Sequence, residues 1–258
     1  MVKSAGIPLK KRYGQHFLRN RKITLDMIEA VELNDSSSVF EIGCGDGFLT
    51  ETILQNKLAR LWVFEIDREW VDCVQQKITD KRLTIFHENF LDIDWEPLKK
   101  HAPWTVLANL PYQVTFPIFH RFQEHRDLIK EGVVMIQEEV AQKIVKKSGR
   151  GYGFISLFFQ YYFELKMLTK VPPSDFYPPP AVDSRLLYFR PKKALKPIPN
   201  EEDFWKFIKQ CFKQPRRTMR NNLKQAHFDI GVISEDILKL RAQQMSMEDF
   251  TALWVAIR

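Results

Sequence analysis

The sequence predicts an α/β domain built on a mainly parallel sheet, followed by a small all-helical domain. Three observations carry that prediction. Across residues 38–190, short apolar, β-branched runs alternate with stretches whose apolar residues recur at helical spacing, as in successive strand-helix units. At 191–200 the segment PKKALKPIPN, with three prolines and three lysines, breaks any regular pattern and reads as a linker. Residues 201–258 then return to helical spacing with no strand-like run.

Taken in order, the expected strands are 39–42, 61–66, 83–86, 105–108, 132–136, 163–168 and 185–189, which makes a seven-stranded sheet. Helices are expected at 49–56, 69–78, 116–122 and 138–147, each with an apolar stripe. Only a proline-rich loop separates the last two strands, so they should form an antiparallel hairpin at the sheet edge. In the carboxy-terminal part, Glu201, Glu202 and Asp203 open one helix, and Ser234 with Glu235 and Asp236 opens another, as the helix dipole favours. The expected organisation is therefore a basic arm at 1–22, an α/β domain at 23–190, a linker at 191–200 and a helical domain at 201–258.

Of 258 residues, 39 are Lys or Arg and 32 are Asp or Glu, a formal charge of +7. Residues 1–22 contain Lys3, Lys10, Lys11, Arg12, Arg19, Arg21 and Lys22 with no acid, so the arithmetic assigns the whole excess to the arm. Such an arm suits a polyanionic partner. A 45% hydrophobic content with 20 Phe supports a large core and excludes a disordered chain. Cys44, Cys73 and Cys211 are few and scattered, and no His pair has ligand spacing. These facts argue against a disulfide framework and a metal site, and for a reducing, cytoplasmic setting. The apolar run at 154–163 is too short to span a membrane, and the arm lacks the apolar core of a secretory signal.

The segment Phe40-Glu41-Ile42-Gly43-Cys44-Gly45-Asp46-Gly47 places three glycines between the first strand and the first helix after it. Here the chain must turn sharply and pass close to a ligand, which side chains would block. The spacing is not that of a dinucleotide site, and the Asp46 carboxylate would repel a phosphate. A cationic or zwitterionic ligand such as S-adenosylmethionine suits the loop better. Glu65, 22 positions after Gly43 at the end of the second strand, is placed to accept both ribose hydroxyls of an adenosine. After the third strand, Asn89 can meet the adenine amino group.

After the fourth strand comes Asn109-Leu110-Pro111-Tyr112. An amide oxygen and a backbone carbonyl can accept from an exocyclic amine, proline fixes the turn, and tyrosine offers a stacking face. A plain strand-ending turn with a surface tyrosine is the alternative reading of these four residues.

The order of GQHFL at 14–18, FEIGCGDGFLT at 40–50, FEID at 64–67, NLPY at 109–112, GYG at 151–153, VPPSDFYPPPAVDS at 171–184 and RRTMRNNL at 216–223 resembles the KsgA-type ribosomal RNA adenine dimethyltransferases. The likeness runs from about Tyr13 almost to the end of the chain. It implies a Rossmann-like class I methyltransferase core, S-adenosylmethionine as donor, and dimethylation of adenine N6 in small-subunit (16S) ribosomal RNA by a monomer acting on the pre-assembled small subunit. It further implies that Gln15, His16 and Leu18 border the methionine part of the cofactor, with Gly43 and Gly45 beneath it, Glu65 at the ribose, Ile66 also among the cofactor-binding residues, and Asn89 where the family commonly has Asp. Asn109, Leu110, Pro111 and Tyr112 would form the target pocket, with Phe176 as a second stacking ring. The loop's Cys44 and Asp46 depart from the family's commoner proline and leucine. For RNA the expected contacts are Lys10, Lys11 and Arg12 in the arm, Lys143, Lys146 and Lys147, and Arg216, Arg217 and Arg220. An Erm-type large-subunit RNA methyltransferase and a non-catalytic RNA-binding factor of the same fold remain alternatives.

Overall fold

The structure is a computed structural model of the chain and describes residues 3, 4, 6–10, 13–226 and 228–257. Its centre is a seven-stranded sheet made of β1 (Ser38–Ile42), β2 (Arg60–Glu65), β3 (Leu83–His87), β4 (Trp104–Asn109), β5 (Ile129–Gln137), β6 (Phe163–Val171) and β7 (Ser184–Pro191). The strand order is 3-2-1-4-5-7-6. The first five strands run parallel, and β7 pairs antiparallel with β5, Ser184 opposite Gln137. The last two strands are adjacent as expected, with β6 at the edge and β7 inserted beside β5.

All five residues of β1 are buried, as a parallel strand covered on both faces must be. Its side chains alternate between two apolar layers. Val39 packs with Ile23, Met27, Leu49 and Ile53, whereas the Phe40 ring meets Phe64, Phe90, Trp95, Trp104 and Phe122. Helices α1 (Arg21–Glu29) and α2 (Phe48–Leu54) contribute to the first layer. Later come α3 (Arg68–Lys77), α4 (Glu96–Lys99), α5 (Thr115–Glu124) and α6 (Glu138–Val145). Asn20 caps α1 by accepting from the Lys22 N–H, and Asp67 caps α3 by accepting from the Glu69 N–H.

The chain divides into two compact units, 1–141 with 164–191, and 142–163 with 192–258. The second holds α7 (Phe154–Tyr162), α8 (Glu201–Cys211), α9 (Met219–Gln225), α10 (Glu235–Lys239) and α11 (Met247–Ala256). Trp205 Nε1 donates to the Tyr162 hydroxyl at 2.9 Å, and the Phe158 ring lies 4.9 Å from Trp205, so α7 and α8 share one aromatic core. The expected boundary at 191–200 separates the units on one side. Residues 142–163, expected in the α/β domain, group instead with the carboxy-terminal helices. Their buried aromatic side chains find partners on α8, which no local pattern announces. Helices α1, α4 and α7 were not anticipated.

Gly132 in β5 sits where side chains of the neighbouring strands leave no room for a Cβ. A Cβ there would lie 2.6 Å from the Phe189 ring and 2.8 Å from Val106 Cβ on β4. Because a neighbouring strand cannot yield easily, Gly132→Ala should destabilise the fold by about 1–3 kcal/mol. A lowered urea midpoint checks this.

Candidate active site

The order of the sheet reverses between β1 and β4, so the carboxyl ends of β1, β2 and β4 diverge and leave a crevice, the usual ligand position in such sheets. A cavity of about 190 Å³ occupies it. Its wall includes Gln15, His16 and Leu18 of the arm, Gly43 and Gly45 of the turn, Glu65, Ile66 and Asn89, and the tetrapeptide 109–112. The structure thus brings together every residue expected to border the cofactor.

Gly45 is required twice over. Its φ is +50°, and a Cβ would lie 2.5 Å from the Phe17 ring, which the arm lays against the turn. Glu65 is buried and both its oxygens are engaged: Oε2 accepts from the Gly45 N–H at 3.2 Å and Oε1 from the Asp67 N–H at 2.9 Å. Burial pushes its carboxyl above the usual range, and these backbone bonds counter that. Ile66 is exposed at the cavity lip, an apolar surface suited to a flat ring. Asn89 is less free than expected. Its Oδ1 accepts from the Leu91 N–H at 3.2 Å and its amide donates to Asp92 at 2.6 Å, so it caps a helical turn.

At the other end, Asn109 Nδ2 donates to the His16 carbonyl at 3.0 Å, which fixes the orientation of the amide and leaves Oδ1 as its acceptor face. His16 Nδ1 donates to the Pro178 carbonyl at 2.8 Å, and its ring stacks on Tyr112 with centroids 6.0 Å apart. The Tyr112 hydroxyl bonds Ser184 Oγ at 2.6 Å. Leu110 is buried, its N–H donating to the Met135 carbonyl, and Pro111 lines the cavity. Phe176 is placed differently from the expectation. It is 4% exposed, pairs with Leu18 and packs into the aliphatic layer, so it presents no stacking face, while the adjacent Tyr177 is 46% exposed. Alternation along a strand sends neighbours to opposite faces, and sequence alone did not show which one faces in.

Glu41 was missed by the sequence reading. It lines the cavity, fully buried, with Oε2 accepting from Thr50 at 2.7 Å and Oε1 without a hydrogen-bond partner. Burial, with the Glu65 charge nearby, pushes its carboxyl up to about 8. An acid two residues before the first glycine of the turn was the available signal. Glu41, Asp46, Glu65 and Glu88 line the cavity, and among the described residues no Lys or Arg does. A cationic sulfonium or ammonium group fits this lining, and a phosphate does not. S-adenosylmethionine therefore fits.

The cations are distributed differently from the arithmetic of the sequence. Arg19 pairs with Asp46 at 2.6 Å, and Lys10 pairs with Asp67 at 2.6 Å and Glu69 at 2.5 Å. Lys10 is accordingly no free contact for RNA, and Lys11 and Arg12 lie outside the described residues. Arg220 is paired with both carboxylate oxygens of Glu235. Lys143, Lys146, Lys147, Arg150, Arg216 and Arg217 are exposed. All six belong to the second unit, whose 17 Lys and Arg against 8 Asp and Glu give it +9, leaving −2 for the unit that contains the arm.

Comparison with known proteins adds family information. A family model described as ribosomal RNA adenine dimethylase matches residues 7–248. The chain is 34% identical over 252 residues to the ribosomal RNA small subunit methyltransferase A of Syntrophotalea carbinolica, covering 95% of each chain. It is 33% identical to the protein of the same name from Chlorobium phaeobacteroides, covering 99% of this chain and 94% of the other. A dimethyladenosine transferase from Plasmodium falciparum superposes with a TM-score of 0.79 at 21% identity, covering 93% and 96%. The 23S rRNA methyltransferase ErmE superposes at 0.75 with 20% identity, covering 93% and 99%. Both share the fold.

The buried Glu41 makes stability depend on pH. Between its unfolded value of 4.5 and its folded value of about 8, the unfolded chain has released a proton that the folded chain retains. Stability should therefore fall as pH rises through this window, by up to about 1.4 kcal/mol per pH unit. Glu41→Gln should flatten that slope, as melting temperatures from pH 5 to 9 will report.

Proposed function

The chain belongs to the ribosomal RNA adenine dimethylase family, and from that membership we propose that it dimethylates N6 of adenines in small-subunit ribosomal RNA, acting as a monomer on the pre-assembled subunit. The relatives named for the small subunit support the choice of RNA. The observation that carries the chemistry is the bond from Asn109 Nδ2 to the His16 carbonyl, which engages the donor face of the amide and leaves Oδ1 as its acceptor.

An adenine N6 lone pair is delocalised into its ring, so the amine is a poor nucleophile. Asn109 Oδ1 and the Leu110 carbonyl accept its two hydrogens, favouring a pyramidal nitrogen with its lone pair directed into the cavity. The base must leave its stack to reach them, and the Tyr112 ring holds it, a stack worth roughly 1–3 kcal/mol. S-adenosylmethionine, when bound, supplies a methyl group made electrophilic by the sulfonium. Of the residues lining the cavity, Gln15, His16 and Leu18 would border that end of the donor, Gly43 and Gly45 would allow its close approach, and Glu65 and Ile66 would hold the adenosine. No strong base is needed, because the amine proton becomes acidic once the nitrogen is alkylated and water can take it. Aligning the amine and excluding water are the work of the protein.

RNA affinity is assigned to the second unit. Tyr152 and Phe212 rings meet at 5.8 Å, and the Lys209 ammonium lies 5.0 Å from the Phe154 ring. These contacts bring the cations of 143–150 beside those of 209–217 within one unit, a surface suited to phosphate.

Two outcomes test this reading. Labelled S-adenosylmethionine offered with unmodified small subunits, large subunits and naked RNA should label adenine N6 in small subunits alone, and Asn109→Ala should abolish label while retaining cofactor binding; label in large subunits would refute the substrate. Replacing Arg216 and Arg217 together by Ala should reduce the slope of log affinity against log salt by about 2, with cofactor affinity unchanged.

A further inference from the structure

Lys10 lies in a basic arm, yet its surroundings are those of a clamp. Its ammonium bridges Asp67 Oδ1 at 2.6 Å and Glu69 Oε2 at 2.5 Å. Its backbone N–H donates to Gln15 Oε1 at 2.8 Å, and Gln15 Nε2 donates to Asp67 Oδ2 at 3.1 Å. The arm is thus closed on Asp67 by two side chains, one on each carboxylate oxygen. Asp67 is almost wholly buried and donates its own N–H to Glu65 Oε1 at 2.9 Å.

Glu65, Asp67 and Glu69 put three acids within five residues at the place that must receive a neutral ribose. Two of them have Lys10 as their counter-ion. Without it, the buried Asp67 carboxylate would have to recruit water or move, and its N–H is one of the two that orient Glu65. Gln15 would lose the same anchor, and it borders the cavity.

We propose that Lys10 is a positioning residue of the cofactor site, fastening the arm to Asp67 and Glu69 so that Glu65 and Gln15 are held for the donor, and that it contributes nothing to RNA binding. The inference rests on Glu65 as the ribose acid. It reverses what the charge of the arm suggests, because the cation is paired with acids of the same chain.

The test uses the full chain and titrates S-adenosylmethionine by calorimetry, with binding of unmethylated small-subunit RNA followed across a salt series. Lys10→Ala and Lys10→Met, the latter retaining the aliphatic stem, should each weaken cofactor binding by about tenfold. In both, RNA affinity and its salt slope should match the wild type, and Lys10→Arg should restore cofactor affinity to within about threefold. The KM for the cofactor should rise more than kcat falls. Cofactor affinity within twofold of wild type in Lys10→Met would overturn the inference, as would a salt slope reduced by about 1, which marks a lost phosphate contact. A wild-type chain that binds no S-adenosylmethionine would overturn the assignment of the site as well, which separates the two failures.

Discussion

The buried carboxylate of Glu65, held by two backbone N–H groups, is the constraint on which the site depends. Those groups belong to Gly45 in the turn after β1 and to Asp67 at the cap of α3. One side chain therefore fixes the spacing between two strand ends that would otherwise be joined only by their ladder. Burying a carboxylate is costly unless it is hydrogen-bonded, and here the bonds that offset the cost are the same ones that set the shape of the crevice. Glycine at 45 is part of this arrangement, since the turn must present its N–H to Glu65 while Phe17 of the arm lies against its other side.

An acidic cavity imposes a second requirement on the fold. Carboxylates that face a cationic ligand must not repel one another when the ligand is absent, and the arm answers this from outside the cavity. Arg19 compensates Asp46 of the cavity wall, and Lys10 compensates Asp67 and Glu69, which lie behind it next to Glu65 in the chain. Seven cations in the first 22 residues looked like a single tail for a polyanion. At least two of them instead hold that segment onto the acids around the site, and the surplus positive charge resides in the helical unit. Net charge by sequence segment and net charge by folded unit answer different questions, because ion pairs join residues such as Lys10 and Asp67 that are 57 positions apart.

What was legible in the sequence had local punctuation. The glycine turn after a β-branched run, the acid 22 positions later and the tetrapeptide ending β4 all announce themselves through backbone demands that few residue types meet. Helix α7 had no such signal. Phe154–Tyr162 is apolar nearly all round, with Ser156 bonded to the Lys143 carbonyl, so it carries no stripe to betray a period. The inward turn of Phe176 and the capping role of Asn89 were hidden for a related reason. Each depends on which of two near-equivalent neighbours faces the core or the next turn, and that is decided by packing.

Asn109 shows why the acceptor at the target end is an amide. Its position asks one side chain to donate to the His16 carbonyl and, in the proposed reaction, to accept from an incoming amine. A carboxylate could accept but not donate, and would face the carbonyl oxygen with like partial charge; a hydroxyl has a single proton and a shorter reach. The carboxamide does both, with its donor and acceptor faces fixed relative to each other by its planarity. Because the donor face is engaged by the arm, the acceptor face is oriented only while the arm is seated. The arm in turn is seated through Gln15 and Lys10 at Asp67, beside Glu65, the acid proposed for the ribose. The same segment therefore anchors both Asp67 and Asn109, so the two ends of the proposed site are ordered together when the arm is seated.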